Sequence, residues 1–201
     1  MPSARLTHQR KGQLALKELD RVRAAGVTFG AVVADAGYGV SAEFRTASSA
    51  RGLTWAVGIP RTQKVYPLTV EVQLAAKPVA LRGRPPTHPV PTADPISVAA
   101  ALPALPASHW RTVSWRRDTR GKLQARFAVI RVRVADGAEL SYGQHLPGEE
   151  VWLVGERRST GEQKFYLTTH AADTPKRTLI AALKARWACE QGHQQMKKNW
   201  G

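Results

Sequence analysis

The first sixty residues alternate between helical and extended patterns, and this alternation most restricts the possible fold. Residues 10–25 have apolar side chains at helical spacing and are followed by Gly26, which suits a left-handed helix stop. The run 27–34 (VTFGAVVA) is apolar and β-branched, which predicts a strand buried on both faces. Residues 41–51 predict a second helix, and residues 53–59 predict a second buried strand. This order favours an α/β layer with parallel strands.

A proline-rich stretch separates this region from a second one with a different character. Residues 77–107 contain eight of the chain's 13 prolines, which predicts an extended linker or arm. An antiparallel β unit with one basic face is predicted after it, because strand patterns occur at 111–117, 123–135, 151–156 and 164–169. The last predicted element is a helix that begins after Thr174, with Leu179, Leu183 and Trp187 on one apolar stripe.

Charge favours a polyanionic partner. The chain has 30 Lys and Arg residues against 15 Asp and Glu residues, a net charge of +15. Cations that neutralise phosphates release counterions, so we expect nucleic acid as the partner rather than a membrane surface, since the basic stretch lacks an amphipathic helix. No apolar run reaches the roughly 20 residues of a membrane span. The single cysteine, Cys189, excludes an internal disulfide and a Cys-rich zinc site, and favours a cytoplasmic location.

Asp35 is the first candidate for chemistry. It comes directly after a predicted buried strand, and open α/β sheets bind ligands at the carboxyl ends of their strands. The alternative is a loop aspartate that caps the next turn. Residues 37–42 also fit the G-x-G-x-x-A dinucleotide fingerprint, but the next strand ends in Pro60-Arg61 without the acidic residue that would bind a ribose. We therefore keep a nucleotide-dependent enzyme only as a third alternative.

The C-terminal helix carries the second candidate. Arg186, Glu190, Gln194 and Lys197 are four, four and three residues apart, which places them on one helical face. The alternative is a solvated face stabilised by an Arg186–Glu190 pair. Glu190 and His193 have the spacing of half a di-iron carboxylate site, but the chain has no second Glu-x-x-His.

Taken together, these residues resemble a DDE-type insertion-sequence transposase. The similarity lies in residues 33–39 (VADAGYG), in the step from 51–53 (RGL) into 57–59 (VGI), and in the C-terminal helix. One large group of such transposases has the signature Tyr-x2-Arg-x3-Glu-x6-Lys in that helix. Here Arg186, Glu190 and Lys197 stand at those spacings, and Leu183 occupies the tyrosine position.

The resemblance implies a fold, a chemistry and a partner. The fold is α/β, a partial ribonuclease H-like core interrupted by an antiparallel β insertion. Asp35 and Glu190 would be the second and third of three metal-binding carboxylates, with Mg²⁺ or Mn²⁺ as the cofactor and double-stranded DNA, the transposon ends, as the partner. We expect copies of the chain to assemble, in the cytoplasm and associated with the nucleoid. The implied divisions are 1–76, the first part of the catalytic core; 77–110, a basic linker; 111–170, the basic β insertion; and 171–201, a truncated helix that completes the core.

The first carboxylate of the family has no counterpart in this sequence, since Asp20 lies inside a predicted helix rather than on a strand. We expect two carboxylates to bind metal weakly, and the chain to be an inactive fragment that neither cleaves nor joins DNA. The alternative function is a non-catalytic DNA-binding or regulatory protein. In both cases the predicted DNA contacts are basic side chains: Arg82, Arg84, Arg116, Arg117, Arg131, Arg133, Arg186 and Lys197. Arg82 and Arg84 belong to an extended tetrapeptide that could enter a minor groove, although a plain basic linker is the simpler interpretation.

Overall fold

A computed structural model describes residues 9–74, 89–118, 121–140 and 143–185. The described helices are α1 (Lys11–Ala24), α2 (Ala36–Gly39), α3 (Ala42–Ala50), α4 (Val98–Ala101) and a C-terminal helix α5 over residues 176–185, with a 3₁₀ turn at Ala107–His109. The strands are β1 (Val32–Ala34), β2 (Trp55–Ile59), β3 (Lys64–Pro67), β4 (Val72–Leu74), β5 (Pro89–Pro91), β6 (Ile96–Ser97), β7 (Arg111–Asp118), β8 (Gly121–Val134), β9 (Glu150–Arg157) and β10 (Gln163–Thr168). The fold is therefore mixed α/β.

One eight-stranded sheet dominates the described residues. Its order is β1-β2-β10-β9-β8-β3-β6, and β7 pairs with the first half of β8. The β1–β2 pair is parallel, as the helix–strand alternation predicts, and the remaining pairs are antiparallel. Because β2 pairs directly with β10, the early strands and the later β unit form one continuous sheet. Strands β4 and β5 form a separate pair.

Local sequence signals account for the helices near the N-terminus. α1 ends before Gly26, which has a φ of 80°, as its predicted stop requires. The Ser41 hydroxyl accepts a hydrogen bond from the Phe44 backbone N–H at 3.2 Å and caps α3, and Gly52 follows this helix with a φ of 66°. Both predicted helices are confirmed.

The predicted first strand is much shorter than the apolar run suggested. Only Val32–Ala34 forms a strand, and Val27 and Phe29 are 52% and 37% exposed. The β1–β2 ladder begins where Val32 meets Trp55, so the residues before Val32 have no partner in it. The prediction of a strand over 27–34, buried on both faces, was wrong because an apolar run alone does not supply a neighbouring strand.

The described part of the proline-rich stretch is packed rather than extended. β6 pairs with β3, and Val98 and Leu102 of the following turn are 0% and 1% exposed. The expectation of a free arm is therefore wrong for residues 96–102. This short segment has no proline inside it, so it forms a helical turn that buries its apolar side chains. Residues 75–88 lie outside the described part of the chain, and the division at 77–110 remains a prediction.

Helices cover both faces of the sheet. On one face α1, α3 and α4 pack against side chains such as Trp55, Val57 and Leu153. On the other face α5 inserts Leu179, Ile180 and Leu183, which are at most 5% exposed, and they pack with Ala56, Phe127, Trp152 and Val154. The predicted stripe of α5 is thus confirmed at Leu179 and Leu183, while Trp187 lies outside the described residues. Within the described helices, no segment is long and apolar enough to cross a membrane.

Candidate functional site

A cleft of about 1430 Å³ opens at one edge of the large sheet, where several strands end. Its lining includes the end of β1 with Asp35, the end of β2 with Arg61, the turn between β9 and β10, the start of β8 with Lys122, and the last described turn of α5 with Lys184. The pairing explains this convergence. Parallel β1 and β2 end on the same edge as β9, and antiparallel β10 and β8 begin there.

The cleft is predominantly basic. Five cationic side chains are among its lining residues: Arg61, Lys122, Arg158, Lys164 and Lys184. Asp35 is the single carboxylate among the lining residues of the described chain. Arg61 and Lys122 are exposed, whereas the Lys184 side chain is only 10% exposed. The cleft therefore presents a positive surface with one negative group at its β1 end.

Asp35 is positioned by the turn that follows β1. Its Oδ1 accepts a hydrogen bond from the Gly37 backbone N–H at 2.9 Å, so Asp35 caps α2 and at the same time lines the cleft. α2 lies directly on β2, because a Cβ at Gly39 would stand 1.8 Å from the Gly58 carbonyl oxygen. This close approach explains Gly39 by packing. The capping interpretation of Asp35 and its place in a cleft are thus both observed.

Arg45 holds the other end of α2. Its guanidinium donates to the Gly39 carbonyl oxygen through Nη1 and to Asp136 Oδ2 at 2.7 Å through Nη2. The Arg45 side chain is 3% exposed and the Asp136 side chain 13% exposed. A buried charge of this kind needs its partner, since removing one member leaves the other without compensation. The pair therefore ties α3, the end of α2 and the segment after β8 together.

A second carboxylate, Glu156, lies beneath the basic side of the cleft. Its side chain is fully buried and accepts hydrogen bonds from Lys184 Nζ, from Tyr166 Oη at 2.8 Å and from Arg158 Nε at 3.0 Å. The Lys184 ammonium also lies 4.6 Å from the Trp115 ring centroid. We call Glu156, Arg158, Tyr166 and Lys184 the Glu156 cluster. It fixes α5 to the sheet and holds two of the cleft's cations in place.

Burial and hydrogen bonding act against each other in this cluster. Burial pushes the pKa of Glu156 upward, but the donors of Lys184, Arg158 and Tyr166 together outweigh it and hold the pKa below its ordinary value of 4.5. Burial is also the largest influence on Lys184, and it lowers the pKa of the ammonium because the single Glu156 carboxylate only partly offsets the lost solvation. Glu156 thus stays ionised at neutral pH as a structural charge.

A comparison with protein families identifies the family of the chain. A family model described as DDE superfamily endonuclease matches residues 1–122, which include Asp35 and α2. The chain belongs to the DDE superfamily endonucleases. No curated protein matches the sequence. The resemblance seen in the sequence is confirmed at the level of the family. DDE superfamily endonucleases act on DNA and generally use divalent metal ions.

The structure describes only some of the residues predicted to contact DNA in this DDE superfamily chain. Arg131 and Arg133 do not line the cleft: Arg131 Nε donates to Glu150 Oε1 at 2.9 Å, and Arg133 donates to the Gly148 and Pro147 carbonyl oxygens at 3.0 Å. Arg116 and Arg117 lie in β7, paired with the start of β8. The other predicted residues lie outside the described part of the chain: Arg82, Arg84, Arg186, Glu190 and Lys197.

The cations that do line the cleft were missed. Four of the five stand at or near a strand end and Lys184 lies in α5; for the four, the signal that could have found them is a basic residue beside each predicted turn, as at Arg158 and Lys164 around the turn residues 159–161. That signal becomes informative only when the strand order is known, because residues 61, 122 and 158 are far apart in sequence. Their convergence depends on the β2–β10 pairing, which no local pattern indicates.

The described residues do not complete a divalent-metal site in this member of the DDE superfamily. Asp35 has the hard oxygen ligands that such ions prefer, and it faces the cleft. Within the described part of the chain, however, no three His, Cys, Asp or Glu side chains come together as a possible ligand set. Glu156 is enclosed by its own donors. A metal site at Asp35 therefore requires a ligand from outside the described residues.

Proposed function

We propose that the cleft is a DNA-binding site at which Asp35 and Glu190 bind a divalent ion, Mg²⁺ or Mn²⁺. The observation that carries this proposal is the placement of one carboxylate, Asp35, in a cleft whose other charged lining residues are all cations. A positive surface attracts phosphates, and carboxylate oxygens are the ligands of hard divalent ions. Membership of the DDE superfamily supports both the ion and the DNA.

The same proposal includes how the four divisions of the chain combine. We infer a partial ribonuclease H-like core in which 1–76 and 171–201 belong together and 111–170 is a β insertion, with 77–110 connecting them. α5 packs against Ala56 of β2, which supports the first association, and also against Phe127 and Trp152, so the β insertion completes the same sheet and core. The double-stranded DNA would be a transposon end, bound by assembled copies of the chain at the nucleoid.

Two carboxylates are a weak ligand set for divalent ions, so we infer that the isolated chain binds DNA without cleaving or joining it. The excess of five lining cations over one lining carboxylate also favours the second candidate function, a DNA-binding or regulatory protein without catalysis. The two functions differ in metal dependence. In the first, a divalent ion bound through Asp35 strengthens DNA binding; in the second, it has no such effect.

The test is DNA affinity with and without Mn²⁺, measured by fluorescence anisotropy on the full chain. We expect Mn²⁺ to raise the affinity of the wild type and of Asp173→Asn, an exposed carboxylate outside the cleft, but not of Asp35→Asn. An equal Mn²⁺ effect in all three proteins would contradict the metal site and leave the non-catalytic function. Nicking of supercoiled DNA in the same buffer, abolished by Asp35→Asn, would overturn the inferred lack of cleavage.

A further inference from the structure

The lining cations of the cleft follow the strand order of the sheet. Reading across the edge from β1, Asp35 comes after β1 and Arg61 after β2, Lys164 lies at the start of β10, Arg158 follows β9, and Lys122 lies at the start of β8. Each of four neighbouring strands thus contributes one basic side chain. We call Arg61, Lys164, Arg158 and Lys122 the strand-end row.

The row has the length of a short stretch of nucleic-acid backbone. Neighbouring strands lie about 4.8 Å apart, so the three steps from β2 to β8 span about 14 Å. One DNA strand carries a phosphate about every 3.4 Å along the helix axis, so about four phosphates fit in that length. Contacts from such cations to phosphates would hold the DNA in place without reading its base sequence.

Part of the row is held in place from beneath. Arg158 donates through Nε to the buried Glu156 and through Nη1 to Glu162 at 2.9 Å, and Lys164 Nζ lies 3.3 Å from Glu162. A guanidinium has five N–H donors and an ammonium three, so donors remain for a phosphate in both side chains. Glu162 offsets one positive charge and Glu156 a second, so the four row cations together with Lys184, the other partner of Glu156, keep an excess of three.

We propose that the strand-end row binds the sugar–phosphate backbone of DNA and lays one strand across the cleft toward Asp35. This inference rests on the proposed function for the identity of the ligand. It assigns the backbone contact to residues different from those predicted from the sequence, and it makes the contact independent of base sequence and of the divalent ion.

The test compares two variants of equal net charge. The row variant combines Arg61→Gln, Lys122→Gln, Arg158→Gln and Lys164→Gln. The control variant combines Lys17→Gln, Arg23→Gln, Lys176→Gln and Arg177→Gln, four exposed cations that do not line the cleft. Both full-length proteins are titrated with a short fluorescein-labelled DNA duplex of arbitrary sequence, in EDTA, over a series of salt concentrations, after thermal unfolding has established that each is folded.

Affinity falls with salt, and we expect the steepness of this dependence, the magnitude of the slope of log affinity against log salt concentration, to decrease by about 3 to 4 in the row variant, since each lost phosphate contact removes about 0.9. The slope of the control variant should change by less than about 0.9, the contribution of one phosphate contact. Equal changes in both variants, or wild-type binding by the row variant, would overturn the proposal. If the row variant does not fold, the four single variants, each expected to lower the steepness by about 0.9, replace it.

This outcome is separable from that of the proposed function, because the titration contains no divalent ion. An Asp35-dependent effect of Mn²⁺ together with an unaffected row variant would refute the row and keep the metal site. A less steep salt dependence together with no Asp35-dependent effect of Mn²⁺ would keep the row and refute the metal site.

Discussion

Two carboxylates flank the same cleft and have different surroundings. Glu156 is fully buried, and side-chain donors from Lys184, Arg158 and Tyr166 surround it. Asp35 is half-buried, lines the cleft and caps a single-turn helix through the Gly37 N–H. The first arrangement holds elements together, and the second presents a carboxylate to a solvent-accessible space. The difference indicates a structural role for Glu156, and it supports the proposal that Asp35 binds a ligand.

Different interactions also hold the two residues in place. Glu156 is fixed by side-chain donors of Arg158, Tyr166 and Lys184, two of them charged. The turn after Asp35 is fixed by close packing of Gly39 on Gly58, to which the Arg45 hydrogen bond to the Gly39 carbonyl oxygen is added. Side-chain charges stabilise through desolvated electrostatics, while a glycine contact stabilises through close packing. The two sides of the comparison should therefore respond to different substitutions.

The largest expected effect is on the buried carboxylate. Glu156→Gln removes the charge that compensates Lys184 and Arg158, and we expect it to lower the free energy of unfolding by about 3 to 5 kcal/mol. The matched control is Glu162→Gln, whose side chain is 46% exposed and which we expect to cost at most about 1 kcal/mol. Urea denaturation measures both. Similar small losses in the two variants would show that the Glu156 cluster is not a structural centre.

The next effect concerns the turn after Asp35. Gly39→Ala places a Cβ against the Gly58 carbonyl oxygen, and we expect a loss of about 1 to 3 kcal/mol through displacement of α2 from β2. Gly30→Ala is the control, since a Cβ there meets no atom within 4 Å, and its effect should stay within about 0.5 kcal/mol. Equal stability of the two variants in urea would contradict the close α2–β2 contact.

A smaller effect should appear in acid. Because the pKa of Glu156 in the fold lies below 4.5, its unfolded form binds more protons, so its contribution is present above pH 4.5 and is lost as the pH falls through the folded pKa. The stability difference between wild type and Glu156→Gln should therefore shrink below pH 4.5. Urea denaturation at a series of pH values checks this, and a difference that grows toward acid would contradict the assigned direction of the shift.

Local signals in the sequence predicted the elements, while the site depended on contacts between distant residues. Ser41, Gly26 and Gly52 mark helix ends because capping and positive φ involve only neighbouring residues. The length of β1 was wrong because it depends on where β2 begins, and the packing of 96–102 was missed because prolines on either side dominated the pattern.

The same distinction applies to the site residues. The position of Asp35 at the end of β1 was predicted because a strand followed by a carboxylate is a local pattern, and its role stays a prediction. The strand-end row and Glu156 were missed, since a cation or a carboxylate acquires meaning only from the strands beside it. Glu156 is the last residue of a predicted strand, a position that exposed glutamates also occupy. Only the packing of α5 brings Lys184 to it.

The most direct test of the account is Mn²⁺ binding to the full chain without DNA, followed by electron paramagnetic resonance. Asp35→Asn keeps the helix cap, because asparagine caps as well as aspartate, so a change in Mn²⁺ binding would report on the ligand rather than on folding. We predict weak binding by the wild type that Asp173→Asn leaves unchanged and that Asp35→Asn lowers at least about tenfold, since altering even the residues that support a metal ligand costs about 10- to 100-fold in affinity. Identical Mn²⁺ affinities in all three proteins would contradict the assignment of Asp35 to a metal-binding cleft.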